Sequence, residues 1–302
     1  MNLRHLRCFI AVAEELHFGR AARRLHIEQS PLSRTICQME ADLGVSLLDR
    51  SPHSVRLTSA GQVFLEDARR VLLVFEQALT KARAAANHRS TLRIALSGDM
   101  GQARLSALLA LCREEAPRVG IRIFEAPLAQ LVSGLRSDLY DAGLALASEV
   151  DSGVVAMPVW RDPLVVALPA RHPLLAFKEV PLEEVMSYPL VLCDPQVCEG
   201  CSRQRERLLR TVDAQPKVAE YVRTHSLMLA LVAAGYGVGF SSTAHLEGCR
   251  QANVVVRPLA DQSASLTTYL LRPEGEFMEP LRQFIERAER VGRRQGDDQR
   301  PM

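Results

Sequence analysis

The apolar pattern of the chain changes once, near residue 90. Before that point, apolar residues recur at intervals of three and four, which is the spacing of amphipathic helices. From Thr91 onward, short apolar segments alternate with helical stretches, and strands separated by helices are typical of parallel α/β sheets. The sequence therefore predicts a helical N-terminal part and a C-terminal part of roughly 210 residues, which is large enough for two α/β lobes.

The N-terminal part predicts two helices, a tight turn and a third helix, which together form a helix-turn-helix. The first helix spans Leu3–Leu16 and the second spans Phe18–Leu25. Ser30 is predicted to cap the third helix, with Pro31 at its first position. Gly44 is predicted to end that helix, because glycine is the usual residue just after a helix C-terminus.

A small hairpin and a long helix are predicted to follow. The turn residues Ser51-Pro52-His53 lie between two apolar segments and predict a β-wing. Thr58 is predicted to cap a helix that runs to about Ala86. Apolar residues at heptad-like spacing on this helix predict a seam for dimerisation. The seam residues are Phe64, Ala68, Val71, Phe75, Leu79 and Ala82.

Charge and composition limit the class of protein further. Residues 1–90 hold thirteen Lys and Arg against nine Asp and Glu, a net +4, whereas the remainder has a net −2. A basic N-terminal module suits binding to phosphate. The longest apolar stretch, Leu227–Ala234, is far shorter than the ~20 residues of a spanning helix, and the charged N-terminus lacks a signal-peptide core. These features predict a cytoplasmic protein with no membrane partner.

Five short motifs stand in fixed order between Phe9 and Gly61. They are Phe18-x-x-Ala21-Ala22-x-x-Leu25, Gln29-x-x-Leu32-Ser33-Arg34, Glu40-x-x-Leu43-Gly44, Leu48-x-Arg50 and Leu57-Thr58-x-x-Gly61. Together they closely resemble the DNA-binding end of LysR-type transcriptional regulators, and several ordered anchors are far more specific than one short motif. The resemblance covers essentially the whole chain. It implies an N-terminal winged helix-turn-helix, a long linker helix, and a two-lobed α/β domain similar to periplasmic binding proteins.

The resemblance also implies domain bounds and partners. Residues 1–58 would be the DNA-binding domain, 59–88 the linker and dimerisation helix, and 89–302 the effector-binding domain. Lobe I would span about 91–161 and 266–292, and lobe II about 162–265. The expected partners are double-stranded DNA with an inverted repeat, a small-molecule effector and RNA polymerase. A dimer matches an inverted repeat by symmetry, and family behaviour implies a homotetramer. No cofactor or metal is expected.

Six side chains are predicted to contact DNA. Gln29 and Arg34 have the bidentate geometry that recognises adenine and guanine edges, whereas the nearby serines suit phosphate. The wing residues are expected to reach the flanking backbone or the minor groove, as the family's wing does. The alternative for each is an exposed surface residue with no partner. The full set is Gln29, Ser30, Ser33, Arg34, Arg50 and His53.

The effector is expected between the lobes. Ligands of open α/β sheets lie at the carboxyl ends of strands, near helix N-termini. Ser97 with the helix that follows suits a carboxylate, as in family members that bind organic acids. The negative charge of Asp99 and the apolar Leu128 oppose that choice. The candidate residues are Ser97, Gly98, Met100, Leu128, Val197 and Cys198.

Three cysteines, Cys193, Cys198 and Cys201, lie within nine residues and leave three interpretations open. Cys198 and Cys201 form a CxxC pair that suits redox sensing, with Arg203 and Arg205 able to lower a thiolate pKa. The same thiols suit a thiophilic metal or ligand. The third interpretation is a buried strand end beside incidental loop thiols. The remaining cysteines are predicted to lie in the core: Cys8, Cys37, Cys112 and Cys249.

An enzyme is the rival class. Its candidates would be Cys198 or Cys201 as nucleophile, with His225 or His245 as base. Nothing in the sequence fixes their spacing, and His225 is equally well placed to cap a helix that starts at Ser226. Walker, GxGxxG and HExxH motifs are missing from the sequence. The sequence therefore predicts a regulator and not an enzyme.

Overall fold

The computed structural model of the chain describes residues 1–51, 54–86, 90–98, 102–150, 152–212, 215–248, 251–261 and 263–298. The chain divides into two units, Met1–His88 and Arg89–Met302. The first unit has one apolar core, and the second has several clusters arranged around its sheets.

The first unit is a winged helix-turn-helix followed by a long helix. Its elements are α1 (Leu3–Glu15), α2 (Phe18–Arg24), α3 (Gln29–Leu43), β1 (Leu48–Ser51), β2 (Ser54–Leu57) and α4 (Ser59–Ala86). The core forms around Phe9, whose ring meets the ring of Phe64 edge to face at 5.2 Å. Ala21 and Ala22 are buried, since only small side chains let α2 pack so closely on its neighbours.

The prediction that Ser30 caps α3 is wrong. Glu28 is the N-cap, with an extended backbone, and its carbonyl accepts the first helical bond from the N–H of Leu32 at 3.4 Å. Pro31 is therefore the third helical residue. It is tolerated there because the N–H groups of the first turn have no partner within the helix. Gly44 ends the helix in the left-handed region at φ 71°, as predicted.

The wing and the start of α4 are joined by a polar cap. The hydroxyl of Thr58 accepts a hydrogen bond from the N–H of Gly61 at 2.9 Å and donates one to the carbonyl of Ser46 at 2.8 Å. The predicted capping role of Thr58 is therefore confirmed. Strands β1 and β2 pair antiparallel from Leu48↔Leu57 to Ser51↔Ser54.

The predicted seam of α4 divides into two parts. Ala68 is buried in the core of the first unit and Phe64 packs against it, because this half of the helix lies on α1. Val71, Phe75 and Leu79, further along the helix, are exposed to solvent in the single chain. A single continuous seam from Phe64 onward is therefore wrong, and the exposed members of the predicted seam that the structure describes lie in the second part of α4.

The second unit contains two lobes joined by crossing strands. Its first elements are β3 (Thr91–Ser97), α5 (Gln102–Glu115), β4 (Gly120–Glu125), α6 (Leu128–Arg136), β5 (Ala142–Ala145) and β6 (Val154–Pro169). A 3₁₀ turn (Pro173–Ala176) precedes α7 (Leu182–Met186), β7 (Leu190–Cys193), α8 (Glu199–Leu209), β8 (Val218–Val222), α9 (His225–Ala233), β9 (Gly239–Ser242), α10 (Thr243–Gly248) and β10 (Val254–Pro258). The last elements are β11 (Ser265–Pro273) and α11 (Glu279–Asp298).

The sheet order is β10-β6-β11-β5-β3-β4, with β9 also paired to β6. Strand β3 pairs parallel with β4 and β5, and β7 pairs parallel with β8. The crossing strands β6 and β11 are antiparallel to each other, and β9 and β10 are antiparallel to β6. We call the β3–β5 side, with α5, α6 and α11, lobe I, and the β7–β10 side lobe II. The two-lobed α/β architecture is confirmed, although its sheets are mixed.

A buried ion pair lies where lobe I meets the crossing strands. Arg104 of α5 donates to the carboxylate of Asp162 on β6 at 2.6 Å, and both residues are buried. Burial raises the pKa of Asp162 and outweighs the opposing effect of Arg104.

None of the helices in the described part of the chain has the length and apolarity needed to cross a membrane.

We predict that Gly61→Ala destabilises the first unit. A Cβ at this position would lie 2.0 Å from the backbone oxygen of Leu47, so either the wing or α4 must move. We expect the free energy of unfolding to fall by roughly 1–3 kcal/mol, as for an overpacked core. Chemical denaturation measures this, with Gln62→Ala on the exposed neighbouring position as the control. Equal stabilities of the two variants would contradict the steric argument.

Candidate functional site

One face of α3 is apolar and the opposite face is polar. Leu32, Ile36 and Met39 are buried against α1 and α2. On the other face, three of the predicted DNA-contacting residues are exposed and one, Ser33, is half-buried. The structure therefore brings Gln29, Ser30, Ser33 and Arg34 together on one surface of the second helix of the helix-turn-helix. His53, the predicted contact at the wing tip, lies outside the described residues.

Arg50 has partners within the protein. Its guanidinium donates to Glu40 at 2.5 Å and to the Cys37 sulfur at 3.0 Å, and it lies 5.3 Å from the ring centroid of Phe18. The other oxygen of Glu40 accepts the backbone N–H groups of Leu47 and Leu48 at 2.8 and 3.0 Å. These contacts fix β1 against α3, so the sequence missed a structural role for Arg50 and Glu40.

A cavity, which we call the cleft cavity, lies between the lobes and has a volume of about 220 Å³. It is lined by the end of β3, the start of α6, the end of β5, and the segment from Gln196 to Cys201. A wider cavity of about 620 Å³ adjoins it and adds Arg223 and Thr224. Five predicted effector residues line the cleft cavity: Ser97, Gly98, Leu128, Val197 and Cys198. Met100 lies outside the described residues.

Two helix starts face the cleft cavity. Pro127 to Ala129 at the start of α6 and Cys198 to Cys201 at the start of α8 are among its lining residues. The first backbone N–H groups of a helix have no carbonyl partner within that helix and carry a partial positive charge. The hydroxyl-bearing Ser97 lies at the end of β3 beside them and is buried. This arrangement is suited to a small anionic group.

Helix α8 is attached directly to lobe I and to β11. The side-chain amide of Gln204 donates to the carbonyls of Leu146 and Thr267 at 2.6 and 2.8 Å, and its oxygen accepts the N–H of Thr267 at 2.8 Å. At Gly200 an added Cβ would lie 2.7 Å from the Leu146 carbonyl. Glycine and glutamine one turn apart therefore hold the start of α8 tightly against the end of β5.

The cysteine cluster is reduced and largely buried. All six described cysteines are free thiols, and Cys193 and Cys198 are buried. A hydrogen bond with Cys198 and then burial raise the pKa of the Cys193 thiol, so Cys193 is protonated. Arg203 pairs with Glu149 and Glu199, whereas Arg205 lies close to the thiols. In the described residues no three His, Cys, Asp or Glu side chains are arranged to hold a metal ion.

The other predicted cysteines and histidines have mixed outcomes. Cys8 and Cys112 are buried, as predicted, but Cys37 is exposed on the polar face of α3, so its assignment to the core is wrong. Cys249 lies outside the described residues. The predicted cap at His225 is also wrong, because the hydroxyl of Thr224 caps α9 by accepting the N–H of Leu227 at 3.2 Å.

A winged helix-turn-helix and a two-lobed α/β domain with a cleft define a ligand-responsive DNA-binding regulator. Comparison with known proteins supports this class. Residues 3–62 match the family model described as bacterial regulatory helix-turn-helix protein, lysR family, and residues 85–293 match the LysR substrate binding domain. The chain belongs to the LysR family of transcriptional regulators, which bind DNA and respond to a small effector.

Individual relatives are similar to this chain along nearly its whole length. The uncharacterised HTH-type transcriptional regulator YnfL of Escherichia coli (strain K12) is 33% identical over 93% of this chain and 95% of its own length. The crystal structure of CbnR, a LysR family transcriptional regulator, has a TM-score of 0.79 at 25% identity and covers 97% of this chain and 99% of that one. CbnR complexed with target DNA has a TM-score of 0.75 at 25% identity, covering 96% and 100%.

We predict that Arg50 acts by positioning the wing and not by contacting phosphate. Arg50→Ala and Glu40→Gln should each lower the free energy of unfolding by about 1 kcal/mol, because either removes the same charge-assisted hydrogen bond. Neither should alter the salt dependence of binding to an operator fragment. Loss of one phosphate contact would lower the slope of log K against log salt by about 0.9.

Fluorescence anisotropy at several salt concentrations measures the slope, and urea denaturation measures stability. Arg34→Ala is the comparison variant, because Arg34 is exposed on α3. A reduced slope for Arg50→Ala with unchanged stability would instead assign Arg50 to the DNA backbone.

Proposed function

We propose that the exposed face of α3 recognises the operator of a specific regulated gene. The observation that carries this proposal is the convergence of Gln29, Ser30, Ser33 and Arg34 on one surface of α3, opposite its buried face. Arg34 supplies two donors for a guanine edge, and Gln29 supplies one donor and one acceptor for an adenine edge, in the major groove. Ser30 and Ser33 lie near the N-terminus of the helix, where hydroxyl and backbone N–H groups suit phosphate. His53 remains proposed for the wing on the sequence alone.

We infer that the second part of α4 is a dimerisation surface. Val71, Val74, Phe75 and Leu79 are exposed there, and apolar side chains at this spacing are typical of a coiled-coil seam. A second copy of the same helix would cover them, which gives the two recognition helices that an inverted repeat requires. The assigned bounds of 1–58, 59–88 and 89–302, the homotetramer and the contact with RNA polymerase are proposals from family resemblance.

We propose a small carboxylate as the effector of the cleft cavity. Two helix starts and the Ser97 hydroxyl supply donors, and Leu128 and Val197 supply apolar contact. The volume of about 220 Å³ suits a compact ligand with one or two carboxylates. Arg223 adds a positive charge to the adjoining cavity, which Glu125 also lines. Glu199 lines the cleft cavity but is paired with Arg203. The sensing of an oxidant or thiophilic metal by Cys198 and Cys201 has no comparable support in the described residues.

The remaining proposals concern activity and location. We propose that the protein is a regulator without enzymatic activity and acts in the cytoplasm, where its DNA is. The enzyme candidates have structural partners: His225 Nε2 lies 2.8 Å from the Ser241 hydroxyl, and His245 Nδ1 lies 2.8 Å from that of Ser242. These hydrogen bonds join each imidazole to a serine and not to a cysteine, so they favour structural roles for His225 and His245.

We predict that genome-wide footprinting of the protein will find discrete inverted-repeat sites. At such a site, Arg34→Ala should weaken specific binding by about 1–3 kcal/mol. The loss is expected because a bidentate contact to a base edge has no substitute in alanine. Arg4→Ala, an exposed arginine on α1, is the matched control and should leave the pattern unchanged. Equal losses at specific and random DNA would reassign Arg34 to phosphate, and an absence of sites would overturn the role of α3.

We predict that filling the cleft cavity abolishes the response to effector without affecting DNA binding. The probes are benzoate, an aromatic monocarboxylate, and succinate, an aliphatic dicarboxylate. At least one should raise the melting temperature of the wild type, because a ligand of the native state stabilises it. Val197→Trp should remove that increase, whereas Leu227→Trp, exposed on α9, should keep it.

No increase with either probe would contradict the carboxylate class. An increase retained in Val197→Trp would place the ligand outside the cleft cavity. Operator binding by both tryptophan variants separates either result from a failure of the DNA-binding proposal.

A further inference from the structure

A third cavity, which we call the inner cavity, lies beside the cleft cavity and has a volume of about 30 Å³. Its polar lining comprises Arg205, His225, Ser241, His245 and the three clustered cysteines. No carboxylate lies among its described lining residues. Cys198 and Cys201 line both cavities, so a single layer of side chains separates them.

Arg205 is the residue that requires an explanation. Only 4% of it is exposed, and its Nη2 donates to two neutral groups, the carbonyl of Cys193 at 3.3 Å and the hydroxyl of Ser202 at 3.1 Å. Its Nε is buried and has no hydrogen-bond partner. Among the described residues no Asp or Glu forms an ion pair with it. A guanidinium buried without a negative charge is strongly destabilising.

The neighbours of Arg205 within the protein do not supply that charge in the described structure. Cys193 lies close to the guanidinium, but its raised pKa keeps the thiol protonated. Ser241 is neutral and is paired with His225 at 2.8 Å, and the rings of His225 and His245 lie 4.8 Å apart. Among the described lining residues, Arg205 is thus the one with a fixed charge, and no Asp or Glu lines the cavity with it.

We propose that the inner cavity is a site for one small monovalent anion of halide size, held by Arg205. The volume limits the size of the ligand, and the charge of Arg205 determines its sign. A cavity of about 30 Å³ holds one or two water-sized species, since a single water needs roughly 10–15 Å³. Carboxylates and phosphates are too large. The anion balances the charge of Arg205 and makes a hydrogen bond with its Nε.

The site is separate from the cleft cavity, in which the effector is proposed to bind, but the two cavities share a wall. The thiols of Cys198 and Cys201 belong to the first turn of α8, which lines the cleft cavity on one side and the inner cavity on the other. An anion in the inner cavity therefore stabilises α8 in the position that shapes the cleft.

The test uses the full-length protein and chloride as the probe. Melting temperatures are measured as chloride replaces gluconate at constant ionic strength and pH, since gluconate is too large for the inner cavity. We expect a saturable increase of about 2–4 °C with chloride. Arg205→Met should lose the increase. Arg203→Met, two residues earlier on the exposed side of α8, should retain it.

A crystallographic measurement covers the case in which Arg205→Met fails to fold. Wild-type crystals grown in sodium bromide should show an anomalous peak within hydrogen-bond distance of Arg205 Nε. A water with no anomalous signal at that position would overturn the proposal, as would equal melting temperatures in chloride and gluconate. Thiolate absorbance that disappears in Cys201→Ser would overturn it too, because a thiolate would then be the counter-charge.

Discussion

The pairing of β6 with β11 determines where every part of the effector domain lies. The two strands pair antiparallel from Ser265↔Pro163 to Pro273↔Val154, with one irregularity between Thr268 and Tyr269. Beyond this pairing, β6 continues and pairs with β9 and β10 through Leu164–Pro169. One strand therefore belongs to the sheets of both lobes. The ends of β3 and β5 consequently face α8 across the cleft, and the space between them is the cleft cavity.

Local patterns were sufficient for the first two helices. Helices α1 and α2 follow the predicted spans Leu3–Leu16 and Phe18–Leu25, because each buries a regular apolar face. The first half of β6 has no clear strand pattern, since Pro158, Arg161 and Asp162 interrupt its apolar run. Strand β8 has none either, because its middle residues are exposed at a sheet edge. Pairing across long sequence separations decided both, and no short window contains that information.

The candidate binding sites also differ in how far the sequence predicts them. The cleft residues were predictable because they follow strands in the sequence, where ligands of α/β folds bind. The inner cavity was not, since Arg205, His225, Ser241 and His245 come from four separate elements that only the tertiary fold brings together. Arg50 shows the converse. Its type and position suggested DNA, but its guanidinium lies against Glu40, which also accepts the backbone N–H groups that begin β1.

Helix α8 is the element through which a change in the cleft would reach the rest of the domain. Gln204 bonds it to the end of β5 and to β11, and Gly200 lets its first turn touch the backbone of Leu146. A ligand between the lobes contacts the same turn, because that turn lines the cleft cavity. If the anion that we propose behind α8 shifts this turn, it changes the affinity for the effector, and the effector changes the affinity for the anion by the same factor. Such coupling needs no change in the residues that touch the effector.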